Sequence, residues 1–338
     1  MKTYHVYGIG NALVDKEFQV TDEFIKHENI QKGSMTLIDG ESQRTLLQKL
    51  TQNFELKKMA GGGSAANSIY AISQYGGTTF YTCKVASDAY GDFYLKELGD
   101  HNIHTNLKIS RDYGDTGKCL VMVSPDTERT MLSYLGISES LSIDDLNVEA
   151  LIDSKYLYIE GYLVTSTTGR NACISARKIA EANNVLTALT LSDAAMVQFF
   201  RGGLEEMIGN GVDILFANDL EAKAWSGEET VQQSLAILHK IAKLVVVTLG
   251  SKGAIIYDGK SIINIDPIPV KAIDSNGAGD MFAGAFLFAL SIGEDHTFAG
   301  NFASLAASTT VCNFGPRLKP AEHKDLYESA KKLYKTNA

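Results

Sequence analysis

A short stretch near the C-terminus combines residues that could bind an anion with one that could take up a proton. Gly277, Ala278 and Gly279 lead into an apolar helix predicted over 280–290. Glycine lets the backbone approach a ligand closely, and the first turn of a helix offers unpaired N–H groups to an anion, most often a phosphate. Asp280 would repel that anion unless it had another task, such as accepting the proton of an attacking hydroxyl. Taken alone, these residues equally fit a glycine-rich turn with an acidic helix start.

A second glycine-rich stretch, Gly61-Gly62-Gly63-Ser64-Ala65-Ala66-Asn67, opens another predicted helix. Its Gly-x-Gly-x-x-Ala pattern satisfies a degenerate dinucleotide-binding fingerprint, but residues 54–59 before it match a buried strand poorly. The nearest approach to a Walker A motif, residues 112–119, fails at both ends. We therefore exclude a P-loop protein and keep a nicotinamide-dependent oxidoreductase as a minor alternative.

Polar residues also follow the ends of several predicted apolar strands. Ligands of open α/β sheets gather beyond the carboxyl ends of the strands, so these residues predict a row of site residues along one sheet edge. The pair Asn218 and Glu221 lies one helical turn apart on one face and could hold Mg²⁺ through water. The others are Asn11 and Asp15 after the first strand, Glu160 and Tyr162 after residues 156–159, and Thr248, Gly250 and Gly253 after residues 244–248.

The composition excludes several classes of protein. A net charge of −9 argues against non-specific nucleic-acid binding and against an anionic membrane surface. No apolar run reaches membrane-spanning length, and the N-terminus lacks the build of a signal peptide. The four cysteines are far apart and have no metal-ligand spacing, which is typical of buried thiols in a reducing compartment. We expect a cytoplasmic protein; the sequence leaves its oligomeric state open, and a homodimer is compatible with it.

The order of predicted elements indicates an α/β protein. Strands and helices alternate along most of the chain, which favours a mostly parallel sheet with helices on both faces. Short alternating strands at 116–123 and 129–134, together with the region around Met35, could form a small separate sheet. With no internal repeat or linker, we predict one domain over residues 1–338 with a small β-lid built from about 12–38 and 113–135.

Three motifs in order resemble those of a known family. Gly62-Gly63-Ser64-x-x-Asn67 and Asp274-Ser275-x-Gly277-Ala278-Gly279-Asp280 resemble the paired signatures of the ribokinase (PfkB) family, and Asn218-x-x-Glu221 is similar to its third motif. The resemblance runs from about Tyr4 to Leu318, and residues 10–15, 189–193 and 212–218 look most like the adenosine kinase branch. It implies a ribokinase-like three-layer α/β/α sandwich with a mostly parallel central sheet and a small β-sheet lid.

The resemblance also implies an activity and the residues that carry it. The protein would be a kinase that uses ATP and Mg²⁺ to phosphorylate the primary 5′-hydroxyl of a nucleoside, adenosine first. Asp280 would be the base, and the amides of residues 277–280 would form the anion hole. The other implied contacts are Asn11, Asp15, Gly62, Gly63, Ser64, Asn67 and Tyr162 with the substrate; Asn218, Thr248, Gly250, Gly253, Asn276, Gly277, Gly279 and Asn301 with ATP, together with the region 313–315; and Asn218 and Glu221 with Mg²⁺.

Two departures bear on the substrate. Ser275 replaces the commoner threonine and keeps its hydroxyl, whereas Met35 and Thr36 stand where lid residues of animal adenosine kinases touch the nucleoside. The base half of the substrate is therefore less defined than the sugar half. Alternatives are a PfkB-type kinase of a free furanose such as ribose or fructose, the oxidoreductase, and a non-catalytic purine or sugar binder. Asp280 separates kinase from binder, because binding needs no base beside an anion site.

Overall fold

The computed structural model describes residues 2–107, 111–126 and 128–335, in which we number fourteen strands and twelve helices. The strands are β1 Tyr4–Ile9, β2 Leu13–Gln19, β3 Met35–Leu37, β4 Leu56–Gly62, β5 Thr79–Thr82, β6 Ile103–His104, β7 Thr116–Val123, β8 Arg129–Gly136, β9 Ser154–Glu160, β10 Leu186–Thr190, β11 Val212–Asn218, β12 Ala242–Thr248, β13 Ala254–Tyr257 and β14 Ile262–Ile265. The helices are α1 Asp22–His27, α2 Gly40–Asn53, α3 Ser64–Gln74, α4 Ala89–Asp100, α5 Val148–Ile152, α6 Thr167–Ala182, α7 Ala194–Ile208, α8 Asp219–Ser226, α9 Val231–Leu238, α10 Ala278–Ser291, α11 His296–Thr310 and α12 Pro320–Lys335.

The central sheet confirms the predicted α/β architecture. Over the described ranges it has the order β14-β13-β12-β11-β10-β9-β1-β5-β6, and only the pairs at the β12–β13–β14 end are antiparallel. Both of its faces are buried. On β12, Leu244 and Val246 belong to the hydrophobic cluster that includes α3, α10 and α11, whereas Val245 and Val247 belong to the cluster that includes α6 to α9. This alternation produces the three layers, because successive side chains of a strand point to opposite faces.

A second, smaller sheet has the order β3-β8-β7-β2-β4. One face packs through Phe18, Leu120 and Leu132 against Leu46 and Leu50 of α2. The sheet contains the strands predicted for the lid and one more, β4, which pairs antiparallel with β2 and lies outside the predicted ranges. Thr127, in the predicted turn between β7 and β8, lies outside the described residues.

Several helices begin before their predicted first residue, as α10 does at Ala278 instead of residue 280, and two of these differences are instructive. The helix predicted from residue 68 begins at Ser64, because its glycine-rich approach ends at Gly63 and the first turn already contains Asn67. The helix predicted at 204–208 begins ten residues earlier at Ala194, capped by the Asp193 side chain. A break in helical geometry at Phe200 interrupts its apolar pattern and explains the shorter prediction.

The described part of the chain contains no helix long and apolar enough to cross a bilayer. The four cysteines are free thiols, three of them buried, as their spacing predicted. The cytoplasmic location and the homodimer stay predictions.

The turn between β4 and α3 requires glycine. Gly63 has φ +104°, and a Cβ there would lie 2.2 Å from the carbonyl oxygen of Asn11. Since that oxygen belongs to the backbone, it cannot move aside as a flexible side chain would.

We therefore expect Gly63→Ala to lower the free energy of unfolding by about 1–3 kcal/mol, the usual cost of a strained backbone residue. Denaturant unfolding measures this change. The matched control is Gly99→Ala in α4, where a Cβ would meet open space. There the better helix propensity of alanine should leave stability unchanged or raise it by up to about 1 kcal/mol. A Gly63→Ala protein as stable as the Gly99→Ala protein would contradict the argument.

His323 on α12 is fully buried. Its ring packs edge-on against Tyr70 and Tyr75, with ring centroids 5.5 and 4.8 Å away. Burial lowers the pKa of His323 to about 4, because the charged imidazolium is disfavoured away from water. Below about pH 6.5 the unfolded chain therefore binds a proton at His323, whereas the folded chain does so only near pH 4. The free energy of unfolding consequently falls as the pH is lowered.

We expect His323 to remove about 2 kcal/mol of unfolding free energy between about pH 7 and pH 5. His323→Phe, which keeps an aromatic ring, should lose this part of the pH dependence. Urea unfolding at both pH values, compared with wild type, measures the difference. His27→Phe is the control, because the His27 side chain is 83% exposed. Identical pH dependence in wild type and His323→Phe would show that His323 is not the cause.

Candidate active site

A cavity of about 530 Å³ lies between the carboxyl ends of the central strands and the small sheet. The small sheet contributes five apolar side chains, called here the apolar wall, Leu13, Met35, Leu37, Met131 and Leu135, and beside them lie the polar residues Asp15, Glu128, Arg129 and Ser133. The opposite wall is polar and comes from the turns after β1, β4, β9 and β11 and before α10. The cavity therefore has one side suited to a planar apolar group and one side suited to hydroxyls and phosphates.

Asp280 lies in the first turn of α10 and lines the cavity. Its carboxylate accepts hydrogen bonds from Ser64 Oγ at 2.6 Å and from Asn67 Nδ2 at 2.9 Å, both on α3. Burial raises the pKa of Asp280 to about 6, and the bonds from Ser64 and Asn67, together with the positive charge of Arg317, limit that rise. The group is thus ionised at neutral pH and still basic enough to take a proton.

The N-termini of α3 and α10 are unusual in having no side-chain cap. Their N-cap residues are Gly63 and Gly277, and neither provides a hydrogen-bond acceptor. Nine other helices of the described chain, α1, α2, α4 to α9 and α11, have a side chain that accepts from a first-turn N–H. Both ends lie at Asp280. At α3 the Ala65 N–H donates to the Glu160 carboxylate, so the N-terminus of α10 is the one better suited to an anion.

The turn before α10 is held by a buried ion pair. Arg129 on β8 donates from Nε and Nη2 to the Asp274 carboxylate, and Arg129 also lies 3.8 Å from Glu17 on β2. Asp274 in turn accepts from the backbone N–H of Asn276 at 2.9 Å. The small sheet is therefore attached directly to the segment that leads into Gly277.

The far end of the polar wall offers both an acceptor and a donor to a hydroxyl. Asp15 on β2 is 7% exposed, and no group of the described residues donates to its carboxylate. Burial raises the pKa of Asp15 to about 7, with the Glu17 charge acting in the same direction. A Cβ on Gly62 would lie 2.2 Å from an Asp15 oxygen, which explains why β4 ends in a glycine.

Asn11 is oriented by the residues around it. Its Nδ2 donates to Glu160 Oε1 at 2.8 Å, and its Oδ1 accepts from Ser138 Oγ at 3.1 Å. Glu160 also accepts from the backbone N–H of Ala65, and burial raises the pKa of Glu160 to about 7. Because Nδ2 carries two hydrogens, one of them is left to donate to a ligand beside Asp15.

Asn218 and Glu221 form a capping box at the start of α8. Asn218 Nδ2 donates to Glu221 Oε1 at 2.6 Å, and the Glu221 N–H donates to Asn218 Oδ1 at 2.8 Å. Both residues line the cavity at the end away from Asp15. Burial raises the pKa of Glu221 to about 7, and the charges of Asp193, Asp219 and Asp280 add to the rise. A cation at this end would offset that negative field.

The structure brings most of the predicted residues to one cavity. Its lining includes Asn11, Asp15, Gly63, Ser64, Asn67, Tyr162, Asn218, Glu221, Thr248, Asn276, Gly277, Gly279 and Asp280. The predicted residues that do not line it are Gly62, Gly250, Gly253, Ala278 and Asn301.

Three of the residues away from the cavity surface have a visible structural setting. Gly253, with φ +88°, closes the turn after β12, and a Cβ there would lie 2.0 Å from the Ile265 carbonyl oxygen. Gly315, predicted near an adenine, donates its N–H to Asp274 Oδ2 at 2.6 Å. Asn301 lies within α11, which packs against β14. Roles of these residues in ligand binding stay predictions.

The residue prediction did not include four charged residues that line the cavity, Glu128, Arg129, Glu160 and Asp193, and two of them hold other site residues. Glu160 was noted only as a polar strand end, although a carboxylate that closes a fully buried strand is a signal in itself. Arg129 was not considered, and its sequence signal is a single cation at the start of a strand of mostly buried residues. Neither signal indicates the hydrogen-bond partner, because Asn11 is more than a hundred residues from Glu160, and Asp274 is more than a hundred residues from Arg129.

The fingerprint of the oxidoreductase alternative occurs in the wrong structural setting. A dinucleotide site needs its glycines between a strand and a helix of a parallel βαβ unit. Here the strand before the glycines is β4, which pairs antiparallel with β2 in the small sheet. The glycines instead approach Asp15 and the Asn11 carbonyl.

Comparisons with known proteins agree with this geometry. A family model described as pfkB family carbohydrate kinase matches residues 35–324. The adenosine kinase of Saccharomyces cerevisiae is 25% identical over 332 residues, covering 91% of this chain and 95% of the yeast protein. The solved structure of adenosine kinase from Sinorhizobium meliloti has a TM-score of 0.90 at 31% identity, covering 97% of this chain and 99% of that one. A probable sugar kinase from Rhizobium etli has a TM-score of 0.91 at 29% identity, covering 98% and 99%.

The family match covers most of the chain, and it includes the turns around Gly63, Asn218 and Gly277. Phosphoryl transfer depends on positioning, fixed N–H donors for developing charge and a base at the attacking hydroxyl, and the cavity has candidates for each. The chain belongs to the PfkB family of carbohydrate kinases and is a phosphotransferase that acts on an alcohol group.

Proposed function

We propose that this enzyme transfers the γ-phosphoryl group of ATP to the 5′-hydroxyl of a nucleoside, with adenosine as the first candidate. The observation that carries the proposal is the placement of Asp280 in the uncapped first turn of α10, with its carboxylate held by Ser64 and Asn67 of α3. Asp280 would accept the hydroxyl proton while the amides of residues 277–280 receive the charge that develops on the phosphoryl oxygens.

The sugar of the acceptor would lie between β2 and α3. A ring hydroxyl that donates to the unoccupied acceptor Asp15 can also accept from the free Nδ2 hydrogen of Asn11, so both hydrogen-bonding capacities of the hydroxyl are satisfied. Holding the sugar at that end would direct its primary hydroxyl towards Asp280. Positioning of this kind accounts for a large part of the rate of a two-substrate reaction.

The apolar side chains of the small sheet support a nucleoside over a free sugar. Leu13, Met35, Leu37, Met131 and Leu135 line the cavity from that sheet, and a furanose alone, which presents mainly hydroxyls, would leave them without an apolar partner. A purine base has two apolar faces that bury well against leucine and methionine. Tyr162, on the opposite side of the cavity, could stack on the same base.

The Asn218–Glu221 end of the cavity fits a magnesium ion that is shared with ATP. Among the described residues, no cluster of three or more His, Cys, Asp or Glu could hold a metal by itself. Mg²⁺ usually keeps several waters and uses one or two carboxylates plus substrate phosphates, so a single buried Glu221 with Asn218 suffices. When bound, the ion would neutralise phosphate charge during transfer.

A kinase of free furanose sugars is the second candidate. Glu160 adds a carboxylate to the sugar end of the cavity, where an additional hydroxyl could approach it. The R. etli protein with the same fold bears the name of a probable sugar kinase. The two candidates differ in what fills the apolar wall, so a substrate screen separates them.

The decisive experiment measures ADP release with adenosine, other nucleosides, ribose and fructose as acceptors. We expect release with adenosine, dependence on Mg²⁺, and loss of release when the metal is chelated with EDTA. Met35→Lys, which places a charge in the apolar wall, should raise the KM for adenosine. Release with a free sugar and none with any nucleoside would overturn the proposed substrate class.

We further expect Asp280→Asn to lower kcat by about 10²- to 10⁴-fold, the usual contribution of a general base. The KM should change little, because Asn keeps the size of the side chain. In wild type, kcat/KM should fall by about tenfold per pH unit below pH 6, since the pKa of Asp280 in the free enzyme is raised to about 6 and protonation removes the base. Steady-state kinetics over a pH series measures both effects.

The matched control is Asp325→Asn on α12, an exposed carboxylate away from the cavity. It should keep wild-type kcat and the same pH profile. Near wild-type turnover in Asp280→Asn would remove the base role from Asp280.

A further inference from the structure

The loop between α11 and α12 packs against the turn that leads into α10, both at Asp274 and at Gly277. Gly315 donates its N–H to Asp274, and Pro316 lies so close to Gly277 that a Cβ on that glycine would be 2.5 Å from the Pro316 ring. The carbonyl of Leu318 accepts from the Tyr70 hydroxyl on α3 at 2.9 Å. This segment, residues 315–318, is therefore fixed relative to α3 and α10 at once.

Arg317 in this segment projects its guanidinium to α3, and its side chain is 8% exposed. Its Nε donates to Asn67 Oδ1 at 2.9 Å, and its Nη1 lies 3.6 Å from Glu97 Oε2 on α4. The guanidinium carbon is 4.9 Å from the ring centroid of Tyr70. An ion pair, a hydrogen bond and a ring face thus fix the guanidinium in one orientation.

The contact with Asn67 has a chemical consequence for Asp280. The two ends of an asparagine amide have nearly the same shape, and their partners decide which end faces which way. Arg317 can only donate, so it selects the Oδ1 end of Asn67 and leaves Nδ2 to donate to Asp280 Oδ2 at 2.9 Å. Without Arg317, the amide could turn its oxygen towards the carboxylate, which would repel it.

We propose that Arg317 is a positioning residue for the base: through Asn67 it holds the Asp280 carboxylate in place for the phosphoryl transfer. The proposal rests on the proposed function for its kinetic consequence, while the orientation of Asp280 can be measured without any reaction. Arg317 acts on Asp280 through the Asn67 side chain, which lies between them.

The charge of Arg317 favours the ionised form of the Asp280 carboxyl, as the hydrogen bond from Asn67 also does. Its positive charge lowers the pKa of Asp280 and opposes the effect of burial. The other groups that act on Asp280 are the hydrogen bonds from Ser64 and Asn67, and the carboxylates that it influences in turn are Asp15, Glu160 and Glu221. Removing the guanidinium should therefore make Asp280 harder to ionise.

The test compares Arg317→Met, Arg317→Lys and the control Arg111→Met. Arg111 also pairs with a carboxylate, Asp92, but it does not line the cavity. The pKa of Asp280 is followed by carbon-13 NMR of labelled aspartate carboxyls in the protein without substrates, and its signal is assigned by its absence in Asp280→Asn. Steady-state kinetics with the acceptor found in the screen gives kcat and KM.

For Arg317→Met we expect the pKa of Asp280 to rise by about one unit, and kcat to fall by about 10- to 100-fold, the value of one charge-assisted hydrogen bond. Arg317→Lys should restore the pKa but recover only part of kcat, because an ammonium lacks the planar donor fork. In an Asn67→Ala background, Arg317→Met should have little further effect on kcat, since the two residues act in series. Arg111→Met should match wild type.

An Arg317 that serves only the packing of the loop would lower the melting temperature and leave the Asp280 titration and kcat unchanged, and that result overturns the proposal. Losses in kcat that simply multiply in the Asn67→Ala background would also overturn it. If Arg317→Met does not fold, Arg317→Gln, which has no charge and can accept as well as donate, takes its place, and a wild-type Asp280 titration and kcat in that variant overturn the orienting role. A wild-type protein that phosphorylates no acceptor instead refutes the proposed function, and the NMR titration still decides the role of Arg317.

Discussion

The hydrogen bonds that join Asp280 to α3 are the interaction on which the site depends. They bring the N-terminus of α3 and the N-terminus of α10 to one carboxylate, and each helix follows a glycine that provides no side-chain cap. Burial favours the protonated carboxyl, whereas the hydrogen bonds from Ser64 and Asn67 and the charge of Arg317 favour its ionised form. The outcome is a pKa of about 6, which suits a base that must be charged at neutral pH and still accept a proton.

The cavity holds more buried carboxylates than its arginines can pair. Burial raises the pKa of Asp15, Glu160 and Glu221 to about 7 each, which means that the protein alone satisfies their charge poorly. Such groups reduce the stability of the folded chain. Hydroxyls that donate to Asp15, and a cation beside Glu221, would offset that cost. The buried carboxylates that lower the stability of the folded chain would thus favour the binding of a polyhydroxyl acceptor at one end of the cavity and of a metal–phosphate group at the other.

The small sheet is coupled to this chemistry at two points. Strand β4 ends at Gly62, and only Gly63 separates it from the first turn of α3, so a displacement of the sheet must move Ser64 or bend that glycine. Arg129 of β8 forms the second link through its ion pair with Asp274. Because both links reach the segments that hold Asp280, the apolar wall and the base are positioned by the same sheet.

Much of the fold and the motif residues could be predicted from the sequence, because their signals are local. Buried strands such as 244–248 are short apolar runs, and the glycines, Asp280 and the Asn218–Glu221 pair occur at spacings of a single turn. The α/β class and the family follow from the order of these elements, and both are confirmed. The substrate stays a proposal, because the apolar wall comes from strands whose faces no local pattern assigns.

Only the tertiary structure decided which of these groups touch each other. Strand β4 looked too polar for a core strand, and it forms the edge of the small sheet instead. Arg129 meets Asp274 across 145 residues and Arg317 meets Asn67 across 250, contacts that arise because the sheet order brings distant turns to one edge. The sequence by itself determined the class and the family, and it singled out Asp280 as the proposed base. The orientation of the Asp280 carboxylate was decided by the long-range packing of β4, α3 and the loop after α11. Hydrogen bonds form between groups that lie close together in the folded protein, and their separation along the chain does not reveal which groups those are.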